Sequence, residues 1–200
     1  MSLTTGVDTI TGTSNADTIS ADNTGTNKQL AVADTINLGG GNDTLKVYVA
    51  AADKLSTVST FAAGVSGVEN ITINSGALTT TETLDVSGIS GLTTFTLESP
   101  VAMADGESFT VKTAAGATLG LTKLNSPDTA GKNATLNVNG ATTLALNAVG
   151  TLKGTVTADV TSTGTALTIN STGAASTLTL ANTGAKLATL TVTGDKALTL

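Results

Sequence analysis

Apolar residues along this chain alternate with Thr, Asn or Asp in short triads, bounded by Gly, Asn, Ser and Thr. From about Ser66 onward they are Ile71-Thr72-Ile73, Leu84-Asp85-Val86, Phe95-Thr96-Leu97, Phe109-Thr110-Val111, Leu119-Gly120-Leu121 and Leu136-Asn137-Val138. Leu144-Ala145-Leu146, Leu167-Thr168-Ile169, Leu178-Thr179-Leu180, Leu190-Thr191-Val192 and Leu198-Thr199-Leu200 continue the series. Period-two alternation between turn residues predicts strands. No window carries a convincing helical period; the best helix candidate, Ala50 to Ala63, is interrupted by Ser and Thr. Leu144, Leu167 and Leu190 stand 23 residues apart with Leu178 midway between two of them, a repeat that fits a coil of two or three short strands per turn. The expected fold is all-β, a right-handed parallel β-solenoid of short strands. A β-sandwich, which also uses short strands at regular intervals, is the alternative.

Composition narrows the choice. The 200 residues include 43 Thr and 22 Gly but only three Phe, one Tyr and no Trp, so no core of large rings can form. A thin core of Val, Ile and Leu suits a solenoid better than a sandwich. The positive mean hydropathy and the low share of charged residues (12%) argue against disorder. Net charge is −6, and the eleven Asp and four Glu face nine Lys and no Arg. Nucleic-acid binding therefore has no electrostatic basis. Absence of Cys excludes disulfides and thiolate metal sites, and no apolar run is long enough to cross a bilayer. No signal peptide is visible at Met1 to Gly6, and Leu198-Thr199-Leu200 stops inside an alternation, so the chain reads as a piece of a longer one.

The N-terminal quarter repeats a different unit. Asp8-Thr9-Ile10, Asp17-Thr18-Ile19, Asp34-Thr35-Ile36 and Asp43-Thr44-Leu45 all read Asp-Thr-apolar, in two pairs nine residues apart. Gly12 to Ala16 precede Asp17, and Gly39-Gly40-Gly41-Asn42 precede Asp43. Nine residues suffice for a tight turn and a short strand, or half a coil. Gly in the turn exposes carbonyl oxygens, and Asp supplies a carboxylate where one turn stacks on another. With neither His nor Cys present, every available ligand is a hard oxygen, which favours calcium over zinc. The candidate metal ligands are Asp8, Gly12, Asn15, Asp17, Asp34, Gly39, Gly41, Asn42, Asp43 and Glu69. The competing reading makes the Asp residues turn caps that bond their own backbone. Glu69, just before a strand, is expected to be an exposed turn residue, with a reach back to a calcium site or a pairing with Lys as the alternative.

Leu38 to Lys46 resembles the calcium-binding nonapeptide of RTX proteins, Gly-Gly-x-Gly-x-Asp-x-apolar-x, with Leu38 standing where the first Gly belongs. A wider resemblance runs over Leu3 to Thr18, Asp34 to Leu45 and Gly67 to Ile71. It points to large RTX-type bacterial surface proteins, including surface-layer (S-layer) proteins and adhesins exported by type I secretion. The resemblance implies a β-solenoid or β-roll with structural Ca2+, secretion, and a place on the bacterial cell surface. On this reading residues 1–65 form an RTX-like calcium-binding β-roll segment, and residues 66–200 a Thr-rich solenoid continuing the same coil.

The expected function is a structural, calcium-binding S-layer module that self-assembles laterally. An extender domain of an RTX adhesin is the alternative. A third reading, an ice-binding solenoid, draws on Thr155-Val156-Thr157, Thr161-Ser162-Thr163 and Thr191-Val192-Thr193. Expected partners are further copies of the chain or the rest of its parent protein, and a cell-surface polysaccharide. No enzymatic role is expected: no His serves acid–base chemistry and no Arg holds an anionic substrate.

Overall fold

The computed structural model describes residues 1–26, 28–50, 64–76, 82–99, 108–114, 116–123, 134–139, 142–147, 151–159, 166–173, 175–182 and 187–200. Residues 51–63 of the helix candidate Ala50 to Ala63, and the Thr161-Ser162-Thr163 piece, lie outside them.

The described residues fold as a β-solenoid of parallel strands without an α-helix. An eight-stranded sheet takes β2 (Thr18–Asp22), β4 (Thr44–Val49), β6 (Asn70–Ser75), β8 (Thr94–Glu98), β10 (Thr118–Thr122), β12 (Thr143–Asn147), β14 (Ala166–Thr172) and β16 (Thr189–Gly194). A three-stranded sheet holds β1 (Thr9–Thr11), β3 (Thr35–Asn37) and β5 (Val65–Ser66). A six-stranded sheet follows with β7 (Glu82–Asp85), β9 (Ser108–Lys112), β11 (Ala134–Asn139), β13 (Thr151–Asp159), β15 (Ser176–Asn182) and β17 (Leu198–Thr199). Every sheet neighbour is two strands on in sequence, so each coil adds one strand to the long sheet and one to a shorter sheet. A sandwich of antiparallel hairpins is thereby excluded. All eleven apolar triads contribute to strands, and so do the four Asp-Thr-apolar units.

Register explains why small repeating triads suffice. Ile19, Leu45, Ile71, Phe95, Leu119, Leu144 and Ile169 occupy one inward row of the long sheet, and each is at most 1% exposed. Ala21, Val47, Ile73, Leu97 and Leu121 form the parallel row beside it, also buried. Each residue packs on its counterparts in the coils before and after, so a single Leu or Ile per position closes the core. Full burial of each such side chain contributes about 1.5–3 kcal/mol. Outward positions alternate with these, and Thr18, Thr44, Asn70, Thr94, Thr118, Thr143, Thr168 and Thr191 share one outward row.

Two spacings differ from the sequence reading. A coil in the N-terminal part takes 26 residues, as the pairing of Thr18 with Thr44 and of Thr44 with Asn70 shows. The nine-residue step from Asp8 to Asp17 is therefore one side of a coil, and the remaining path returns through a longer loop. Further on, Leu167 does pair with Leu190, but Leu144 pairs with Ile169 rather than with Leu167. The 23-residue recurrence is thus a true coil step only in its second half. Period two keeps Leu144 and Ile169 both inward, because a shift of two residues preserves the face.

Candidate metal centre

Two corners of the coil carry the predicted ligands. At the first, before β1 and β3, the Asp8 amide donates to Asp34 Oδ1 at 2.9 Å, and the Ala31 amide donates to Asp34 Oδ2 at 2.7 Å. Asp8 itself accepts from the Thr4 amide at 2.8 Å and from the Thr4 hydroxyl. At the second corner, before β2, β4 and β6, the Asp17 amide donates to Asp43 Oδ1 at 2.7 Å, and the Asp43 amide donates to Glu69 Oε2 at 2.8 Å. Each link spans 26 residues, one coil. A carboxylate thus caps the backbone amide of the coil before it, while the amide of the following coil's strand bonds to the corner carbonyl. Thr44 donates to the Asp17 carbonyl at 2.9 Å, and Asn70 to that of Asp43 at 3.0 Å. This arrangement realises the turn-capping reading for Asp8, Asp17 and Asp34. Glu69, expected to be an exposed turn residue, is instead half-buried and forms the third rung of the second ladder, because its carboxylate accepts from the Asp43 amide one coil away. The same corner position carries Thr93, Ala117 and Thr142 in later coils, so the acids stop there.

The turns before the second corner stack in direct backbone contact. A Cβ on Gly12 would collide with the Leu38 carbonyl, one on Gly39 with the Thr13 carbonyl, and one on Gly41 would lie 2.7 Å from the Asn15 carbonyl oxygen. Gly39 and Gly41 also adopt φ of 90° and 136°, a region open mainly to glycine. The Gly40 amide donates to the Thr13 carbonyl at 3.1 Å, and Asn70 Nδ2 reaches Asn42 Oδ1 at 2.6 Å and the Asp43 carbonyl. Gly12, Asn15, Gly39, Gly41, Asn42, Asp43 and Asp17 are therefore assembled in one stacked corner. Asp8 and Asp34 belong to the other.

Asp43 is where capping leaves something over. Its side chain is completely buried, Oδ1 accepts from Asp17, and Oδ2 has no hydrogen-bond partner. A buried, half-satisfied carboxylate is costly unless a cation joins it. Among the described residues no three acidic side chains converge into one metal-binding group. A cation at this corner would take at most two carboxylates, with the rest of its shell from the turn carbonyls. All of these donors are hard oxygens, a set that fits calcium. Asp17 is less buried than Asp43: its Oδ2 accepts from the Thr13 amide at 2.7 Å and the Thr13 hydroxyl at 2.9 Å, which hold its pKa below the usual value.

No protein-family model, curated protein or solved structure matches the chain. Among the described residues no helix is long and apolar enough to cross a membrane.

Proposed function

We propose that this chain is a non-catalytic structural module of a secreted bacterial cell-surface protein, stiffened by calcium at the Asp43 corner. The observation that carries the proposal is the fully buried Asp43 carboxylate, whose Oδ2 has no protein partner beside stacked glycine turns. Asp43 with the turn carbonyls of Thr13 and Asn15 would hold the ion, and the ion would supply positive charge against the acid ladder. Asp17 and Glu69 stand on either side of Asp43 in that ladder. Binding then couples to folding, because the ligands come together only when one coil lies on another.

The outward surface supports a packing role. The long sheet presents rows of Thr, Asn and Ser with few charges, so its outward face is broad and regular. In this reading the partners are further copies of the chain in a surface array, or the rest of the parent protein, together with a cell-surface polysaccharide. An adhesin extender would use the same coil for length instead of a lattice; particle imaging in calcium separates sheets from single rods. Less supports an ice-binding face. Thr191 and Thr193 lie on the long sheet whereas Thr155 and Thr157 lie on the six-stranded one. Beside the Thr row of the long sheet, the next outward row runs Ser20, Lys46, Thr72, Thr96, Gly120, Ala145, Asn170, Thr193, which breaks a two-rank array.

Thermal unfolding by circular dichroism, in millimolar calcium and again in EGTA, tests the proposal. A rise in melting temperature with calcium but not magnesium is expected, and replacing Asp17, Asp34 and Asp43 together by Ala should remove it. Identical curves in calcium and EGTA would reduce the acids to corner caps.

A further inference from the structure

On the outward face of the first strands of the long sheet lies a set of groups that neither the core nor the acid corner uses. One outward row runs from Asp22 of β2 through Tyr48 of β4 and Asn74 of β6 to Glu98 of β8. Tyr48 is the single tyrosine of the chain, and it is 45% exposed near the end of β4 in a chain nearly devoid of aromatics. Two recesses meet at its ring. The larger, of about 510 Å³, is lined by Asp22, Thr24, Gln29, Ser2 and Ser20 beside Tyr48. The smaller, of about 120 Å³, has Lys46, Thr72, Asn74 and Glu98 on the other side.

The wall of the larger recess is built, not draped. Asn23 is buried, accepts from the Leu30 amide at 2.8 Å and donates to the Leu30 carbonyl, pinning the loop beside the sheet. The Asn23 amide donates to the Tyr48 carbonyl at 2.8 Å, which ties the same loop to β4. Gln29 Oε1 accepts from the Asp22 amide at 2.6 Å, leaving its NH2 group as the donor it can offer. Thr24 donates twice to Asp22 Oδ1, from its amide at 2.9 Å and its hydroxyl at 2.6 Å, so that carboxylate is oriented and held as an acceptor.

An exposed phenol ring between two recesses of fixed carboxylate, amide and hydroxyl groups matches the chemistry of a pyranose. The ring covers the apolar C–H face of a sugar, while the polar groups take its hydroxyl edge. Asp22 to Glu98 crosses three strand steps, roughly 14 Å at the parallel-sheet spacing, room for several linked rings along the solenoid axis. Charge bears on the polymer: Asp22 and Glu98 at the groove are balanced by Lys46 in its lining and by Lys123, which is engaged with Glu98, so the groove carries no net charge to draw a polyion and suits an uncharged chain.

We propose that this groove on the outward face of β2, β4, β6 and β8 binds a neutral polysaccharide, with one sugar ring stacked on Tyr48. The proposal rests on the cell-surface reading for its setting and names the site of the polysaccharide contact; it is independent of the calcium corner.

Because the chain has one Tyr and no Trp, its intrinsic emission reports on the groove alone. Short neutral oligosaccharides of glucose, mannose, galactose, xylose and N-acetylglucosamine are titrated separately into the full chain in calcium. A saturable change in Tyr48 emission with at least one series is expected. Gln29→Ala and Asn74→Ala should each weaken it about tenfold, a loss of roughly 1.4 kcal/mol, and Asn74→Ala should do so with an unchanged melting temperature. Thr118→Ala, outside the groove, should titrate as wild type. Tyr48→Ala, followed by calorimetry in place of emission, should lose binding. Flat titrations with every series, or Gln29→Ala and Asn74→Ala binding like wild type, would overturn the proposal. Melting temperatures in calcium and EGTA on the same sample keep the two readings apart. A calcium shift with flat titrations rejects the groove alone, and saturable titrations without a calcium shift reject the metal centre alone.

Discussion

Replacing Asp43 by Asn distinguishes a calcium site from a turn cap, because the two readings assign opposite consequences to the same oxygen. Asn keeps an oxygen able to accept the Asp17 amide, the 2.7 Å bond that joins the first two coils. It removes the negative charge from a side chain that is fully buried and whose Oδ2 has no partner. Without calcium, an unsatisfied buried polar atom costs about 1–3 kcal/mol, and more when charged. In EGTA, then, Asp43→Asn should be as stable as wild type or more so. In calcium the order reverses. At a hundredfold excess over its dissociation constant an ion bound only to the folded state contributes about 2.7 kcal/mol. At roughly 2–4 °C per kcal/mol for a chain of this size, wild type should gain about 5–11 °C from calcium and Asp43→Asn almost nothing. Asp85→Asn, on β7 and far from the corner in sequence, serves as control and should keep the wild-type shift. Differential scanning calorimetry in calcium, magnesium and EGTA measures all three proteins. A calcium shift that survives in Asp43→Asn would refute the assignment of Oδ2 as a ligand, and a wild-type shift of zero would refute the site.

Further outcomes follow from the packing. Leu167 is 2% exposed and its register partner Leu190 is 38% exposed, so Leu167→Ala should cost about 2–5 kcal/mol and Leu190→Ala well under half of that in urea unfolding. Gly39→Ala forces a Cβ onto the Thr13 carbonyl at φ 90° and should destabilise by more than about 1 kcal/mol, while Gly40→Ala meets open space and should be close to neutral; melting temperatures of the two decide. The carboxyls of Asp17, Asp22 and Asp85 are all held below their usual value of 3.8, through hydrogen bonds from Thr13, Thr24 and Ser87 respectively. A folded-state pKa below the unfolded one adds stability that is full above the unfolded value and lost as pH falls through the folded one. Unfolding free energy in EGTA should therefore be flat above about pH 5 and decline from about pH 4 downward. A decline that begins near neutrality would contradict this assignment.

The amino-acid sequence by itself determined the fold class and most of the strands. Alternation of period two places every second side chain inward whatever the partner strand, so Ile71-Thr72-Ile73 or Leu119-Gly120-Leu121 announces a strand without knowledge of its neighbours. Scarcity of aromatics required a thin core, and stacking of like on like provides one. Asp8, Asp17, Asp34 and Asp43 were legible as corner residues for the same local reason: a short acid before Thr-apolar closes a turn into a strand.

Other features depended on which coil lies over which. The 26-residue coil of the N-terminal part and the two-residue slip that sets Leu144 on Ile169 are invisible to a period-two pattern, since any even shift leaves it unchanged. The division of the acids between two corners, and the recruitment of Glu69 as a third rung, arise because each carboxylate bonds an amide one full coil away. The unpartnered Oδ2 of Asp43 and the groove around Tyr48 belong to the same level. One depends on burial under the stacked turns, the other on side chains from successive coils meeting on a single face. Local alternation is a property of neighbours in sequence, whereas stacking joins residues by the length of the loops between them, and only the folded coil sets that length.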